Sequence, residues 1–142
     1  KLAQIIFFDP KKKHVLEKIL HPRVFKVENL EYNNICRKNP KALVIIDAAL
    51  LIESGNYKKM DKVIVVNADK KTQIERVLAR SDLDHNEVVA RIDSQMPIAE
   101  KIKYADFVLD NSLDKISLRK KVKDLHIKLS ILAGENNCKK IN

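Results

Sequence analysis

Glycine is nearly absent from this sequence, with Gly55 and Gly134 the only two in 142 residues. No G-x-x-x-x-G-K-[ST] loop and no G-x-G-x-x-G turn is therefore present, so nothing in these residues cradles nucleotide phosphates on backbone amides. Tryptophan is missing, and four Phe with three Tyr are too few for a platform that stacks RNA bases beside its charge. Cys36 and Cys138 form no C-x-x-C pair, which indicates neither a zinc site nor a disulfide framework; reduced, intracellular thiols are the simplest expectation. His14, His21, His85 and His126 include no H-E-x-x-H pair, and no G-x-S-x-G elbow occurs, so hydrolase chemistry has no support. The apolar runs around 42–46 and 48–52 are interrupted by Asp47 and are too short to span a bilayer. No signal peptide or anchor is visible, and a cytoplasmic location without a membrane partner is expected. The chain opens at Lys1 without Met, in what reads as the middle of a helical pattern, which leads us to expect a piece of a longer protein.

What is present is a core and a positive charge. Hydrophobic residues make up 45% of the chain, enough for one globular domain of this length. Lys and Arg number 28 against 19 Asp and Glu, a net charge of +9, so the surface attracts polyanions such as nucleotides, acidic cofactors or nucleic acid. The lysines are spread along the whole sequence, and charge alone does not choose among these partners.

Asp9-Pro10 is a helix start, with Asp as cap and Pro at the first helical position. Val15, Leu16, Ile19 and Leu20 mark one buried face. His21-Pro22 is expected to break that helix and start another, with Val24, Val27 and Ile35 inward, until Asn39-Pro40 ends it. A helical hairpin results. Leu43-Val44-Ile45-Ile46 reads as a strand covered on both faces, and Val63 to Val66 and Phe107 to Leu109 repeat the pattern. Helical sequence follows each, so the expected sheet is parallel, with Asp47, Asn67 and Asp110-Asn111 along its carboxyl rim. Asp84 to Glu87 has capping-box spacing. Leu118, Val122, Leu125, Leu129 and Leu132 form a docking stripe on the last helix, and a polar tail follows Gly134.

The stretch from Lys62 to Arg80 carries the most chemistry. An apolar strand feeds a helix in which, at about 100° per residue, Ile74, Val77 and Leu78 fall on one side and Gln73, Arg76 and Arg80 on another. The planar fork of arginine matches phosphate oxygens in pairs, so this stripe points to a triphosphate or phosphoryl-transfer site. A solvated polar face is the plain alternative. Asp47, ending an apolar strand, is a weak candidate magnesium ligand. His21 reads either as a donor to an anionic substrate or as a lock on the corner at Pro22. Glu53 reads either as a group that orients a substrate hydroxyl or pairs with a lid arginine, or as a helix-end charge at Ser54-Gly55.

Together the pieces resemble the dephospho-coenzyme A kinase family. The shared pattern runs through Phe7-x-Asp9-Pro10, Leu16-Glu17-x-Ile19-Leu20-His21-Pro22 and Leu50-Leu51-x-Glu53-Ser54-Gly55. It continues with Val65-Val66, Gln73-x-x-Arg76-x-x-x-Arg80, Arg91-x-x-x-Gln95 and Ala105-Asp106-Phe107-Val108-x-Asp110-Asn111. Ala49 stands where the family usually has Pro, and Leu113 where Gly follows Asn-Ser.

The resemblance implies an α/β fold, a three-layer parallel sheet of phosphate-loop kinase type, incomplete, with helical substrate and lid insertions. It implies Mg-ATP phosphorylating the ribose 3'-hydroxyl of dephospho-CoA in the last step of coenzyme A synthesis. Residues 1–39 become the helical substrate part, 40–133 the core with a lid at about 69–103, and 134–142 a tail. Arg76 becomes the catalytic lid arginine; Gln73, Arg80, Arg91 and Asn111 bind nucleotide or phosphate, with the Asn111 turn by the adenine. His21, Leu51 and Glu53 bind substrate. The family's phosphate-loop strand would lie between 43–47 and 63–66, and its loss would leave those strands about 9 to 10 Å apart. That gap is expected to be filled by other chain or closed by direct pairing. The competing readings are a basic nucleic-acid module, whose affinity would fall steeply with salt, and a non-catalytic kinase-like partner.

Overall fold

Asp9 opens the first helix by capping it. In the computed structural model, which describes residues 9–135 and residue 138, its carboxylate accepts from the backbone N–H of Lys11 and Lys12 at 3.0 and 3.1 Å. Those bonds, led by the one from Lys12, hold the Asp9 carboxyl below its ordinary range. Helix α1 runs Pro10–Lys38 without a break, with Pro22 inside it. The expected hairpin at His21-Pro22 does not form. An interior proline removes one backbone bond at a cost of about 3 kcal/mol, which the neighbouring turns of so long a helix absorb. Without a second helix folded against it, α1 buries no residue completely. Val15, Val24, Val27 and Leu30, between 47% and 58% exposed, remain open. Asn39 ends the helix, and its side chain accepts from Lys41 N–H at 3.1 Å.

Residues 43–47 were expected to form a strand and do not pair with either strand of the sheet. Their side chains alternate in exposure as a strand's would, with Ile45 67% exposed. A strand exists only where a partner accepts its hydrogen bonds, and among the described residues none does. The gap next to 63–66 is thus neither filled nor closed there. Gly55 then turns the chain at φ 75°, a left-handed conformation that a side chain resists, into a short 3-10 helix at Asn56–Lys59.

The sheet has two parallel strands, β1 (Ile64–Asn67) and β2 (Phe107–Asp110), paired Ile64 to Phe107 through Asn67 to Asp110. The architecture is α/β with a small parallel sheet. Between the strands lie α2 (Lys70–Leu78), α3 (His85–Asp93) and α4 (Ile98–Ile102). Asp69 caps α2 through Thr72 N–H at 2.8 Å. The capping box of Asp84 and Glu87 forms at α3, where Val88 is fully buried. Ile52, Val63 and Val65 make the core, with Tyr57, Met60, Met96, Ile98, Ile102 and Ala105 packed on it.

Helix α5 (Lys115–Glu135) lies against β2. Leu125 and Leu129 of its expected stripe are buried, while Val122 is 44% exposed. The helix continues through Gly134 and Glu135, which had been assigned to the tail. The helical pattern expected at Lys1 and most of that tail lie outside the described residues. No helix among the described residues is long and apolar enough to cross a membrane.

The cysteines overturn the expectation of reduced thiols. Cys36, near the end of α1, is disulfide-bonded to Cys138 across a sequence separation of 102, with Cα atoms 5.7 Å apart. Spacing in sequence hid the pair, since only the fold brings residue 138 beside the end of α1. A bridge closing so long a loop stabilises a fold by about 2–5 kcal/mol. Cys138→Ser, or reduction, is expected to lower the urea midpoint accordingly; a midpoint indifferent to reductant would show that the bridge does not constrain the folded chain.

Candidate functional site

Parallel strands leave their carboxyl ends side by side, and here the rim is built from Asn67 and Asp110. The Asn111 N–H donates to the Asn67 carbonyl at 2.7 Å, carrying the pairing one residue past the strands. Two segments depart from this point, α2 behind its Asp69 cap and the turn at 111–114. Asp110 shapes the turn, since one carboxylate oxygen accepts from Ser112 N–H at 3.0 Å and the other from Lys121 Nζ at 3.1 Å. The Ser112 backbone N–H, its hydroxyl and then the Lys121 ammonium lower the Asp110 carboxyl to about 2.

Arg76 spans the two departing segments. Its Nη1 donates to the Asn111 carbonyl at 2.7 Å and its Nη2 to the Leu113 carbonyl at 3.1 Å. The guanidinium thus lies at the carboxyl rim, exposed, with two of its five donor hydrogens engaged. Gln73, one turn earlier, donates from Nε2 to the Ala68 carbonyl at 2.6 Å. Arg80 departs from the expected stripe: α2 ends at Leu78, so Arg80 lies in the turn beyond it, where helical spacing no longer fixes its direction. Arg91 lies exposed on α3.

A second constellation forms around Lys101. Glu53 Oε1 pairs with Lys101 Nζ at 2.8 Å, with the side chains only 21% and 12% exposed, and accepts from Met96 N–H at 3.1 Å. Lys101 Nζ also donates to the Ala49 carbonyl at 3.0 Å and to Gln95 Oε1 at 3.4 Å. Glu53 is therefore engaged by a lysine rather than by a lid arginine. Leu51, half-buried, accepts at its carbonyl from Tyr57 N–H and the Ser54 hydroxyl. The His21 ring stacks on Phe25 of the same helix at 5.5 Å and locks no corner, because α1 has none there.

Asp47 stands exposed on the unpaired segment, and no cluster of three or more His, Cys, Asp or Glu among the described residues would hold a metal ion. Sequence reasoning missed Lys101, whose signal is its position between Ile98 and Ile102, both packed on the core. It also missed the Asp110–Lys121 pair.

The family model for dephospho-CoA kinase matches residues 1–116. The chain belongs to the dephospho-CoA kinase family. It is 39% identical over 131 residues to the dephospho-CoA kinase of Aquifex aeolicus, covering 92% of this chain and 64% of that one. With the Bacillus cereus dephospho-CoA kinase it shares 39% identity over 111 residues, 78% of this chain and 55% of the relative. Among solved structures, a Thermus thermophilus crystal structure superimposes with a TM-score of 0.68 at 34% identity, over 90% of this chain and 65% of that one. The dephospho-CoA kinase from Campylobacter jejuni gives 0.57 at 31%, over 91% and 63%. The chain spans between about half and two thirds of the length of these curated relatives.

The lowered Asp110 carboxyl ties the rim to pH. A carboxyl whose folded value lies below its unfolded one contributes stability that is present above the unfolded value and lost as pH falls through the folded one. For Asp110 that window runs from its ordinary 3.8 down to about 2. Unfolding midpoints measured across that window are expected to fall less steeply in Asp110→Asn than in the wild type; parallel slopes would mean that Asp110 gains nothing from Ser112 and Lys121.

Proposed function

We propose that the complete protein containing this chain is a dephospho-CoA kinase, transferring the terminal phosphoryl group of ATP to the ribose 3'-hydroxyl of dephospho-CoA. The observation that carries this reading is Arg76, an exposed guanidinium held at the strand rim by two carbonyls. Its remaining donors suit the oxygens of a transferring phosphoryl group. In this reading Gln73, Arg80 and Arg91 assist with phosphates or lid closure, the Asn111 turn lies by the adenine, and His21, Leu51 and Glu53 serve the substrate side.

We further propose the division of the chain into a helical substrate part at 1–39 and a core at 40–133 with a lid at about 69–103. The parent architecture is a three-layer parallel sheet of phosphate-loop kinase type. The reaction belongs in the cytoplasm.

Phosphoryl transfer rests on positioning and charge neutralisation, and these residues contain no phosphate loop. The chain alone is therefore expected to show no turnover with ATP, magnesium and dephospho-CoA, and clear turnover would refute this account of the division of labour. In the complete protein, Arg76→Ala is expected to lower kcat by on the order of 10³ with little change in stability, as removal of a transition-state arginine does. An unchanged kcat would return Arg76 to the solvated face of α2.

A further inference from the structure

Lys101 is a lysine used where lysines rarely sit. Its side chain is only 12% exposed, and its ammonium has three hydrogens to place. It donates to the Ala49 carbonyl and the Gln95 side-chain oxygen and pairs with the Glu53 carboxylate at 2.8 Å. The acceptors come from two segments far apart in sequence. Ala49 and Glu53 bracket the turn that contains Leu51, while Gln95 follows α3 and its Arg91. Glu53 then reaches across to Met96 N–H, so the second segment is held both by Lys101 and by the residue Lys101 neutralises. Lys101 itself is on α4, which packs against β1.

We propose that Lys101 is a positioning residue that couples the turn at 49–53 to the end of the α2–α3 insertion. This inference rests on the reading of that turn as the substrate side and of the insertion as a lid. An ammonium bound this way joins two hydrogen bonds and one ion pair at a single node. If the insertion swings about 94–97, its hinge cannot move without drawing on Glu53, and a ligand that orders the turn orders the hinge as well. The coupling is local chemistry, because a partly buried pair left with one member carries an uncompensated charge.

The test is made in the complete protein with Lys101→Met, which keeps the length and loses the charge, and with the milder Gln95→Ala. Without any ligand, amide hydrogen exchange at 49–55 and at 94–97 is expected to rise together by about tenfold in Lys101→Met and less in Gln95→Ala. A rise at only one segment, or at neither, overturns the coupling whatever the enzyme's activity. Kinetics then read the positioning. Lys101→Met is expected to raise the KM for dephospho-CoA and lower kcat by about 10²-fold while leaving the KM for ATP near the wild-type value. A fall in kcat with both KM values unchanged indicates lost folded enzyme and overturns the positioning role. If the two segments loosen together but the wild type does not phosphorylate dephospho-CoA, the coupling stands and the functional reading falls.

Discussion

The pairing of β1 with β2 is the constraint from which the site follows, and it is secured at both ends rather than along its length. A ladder of four residue pairs is marginal in water on its own. At the amino end the Asp106 carboxylate accepts from Lys62 Nζ and from Val63 N–H, both at 2.8 Å. These bonds, the Lys62 one first, keep the Asp106 carboxyl below its ordinary range. At the carboxyl end the Asn111–Asn67 bond continues the register. A slip of one residue would turn Val65 out of the core, and it would also shift the 111–113 turn relative to α2. Arg76 can reach both carbonyls only because the register places those segments side by side.

Caps and core strands were legible in the sequence because their causes are local. Asp9-Pro10, Asp84 with Glu87, and the apolar runs at 63–66 and 107–109 each contain the groups that decide their conformation. The Arg76 position was legible for the same reason, as a helix residue about two turns after a capped start. What failed depended on partners. Leu43 to Ile46 has the composition of a buried strand but no neighbour to pair with among the described residues, and composition does not report a neighbour. Pro22 was read as a break because a proline costs one bond, yet the length of α1 outweighs that cost. The Cys36–Cys138 bridge was invisible because only tertiary structure brings those positions together.

The exposed apolar residues of α1 belong to the same account. Val15, Val27 and Leu30 repeat at helical spacing, the pattern of a buried face, yet the described residues bring little against them. The pattern records a face suited to burial, and the structure shows which part of that burial these residues supply. A cross-link at Cys36, the hydrogen bond that the Asn56 side-chain amide donates to the Glu28 carboxylate at 3.4 Å, and the Lys13 bond to the Ser94 carbonyl fasten the helix instead.

Two cations show how the same charge is put to opposite uses. Lys101 is neutralised by Glu53 and nearly enclosed, so its charge is consumed in holding segments together. Arg76 is held by two carbonyl oxygens, and no carboxylate pairs with it among the described residues. Neutral acceptors fix the direction of a guanidinium without cancelling its charge, so the attraction for an anion at the rim is retained in full. A carboxylate partner would have given a firmer anchor and a weaker site, since an incoming phosphoryl group would then compete with a resident negative charge. Arginine suits this use because its planar fork spends two donors on the protein and leaves others for a ligand, which the compact ammonium of a lysine does less readily. The guanidinium is therefore oriented at the rim with its charge uncancelled, and that orientation depends on backbone atoms that no side-chain pattern in the sequence reveals.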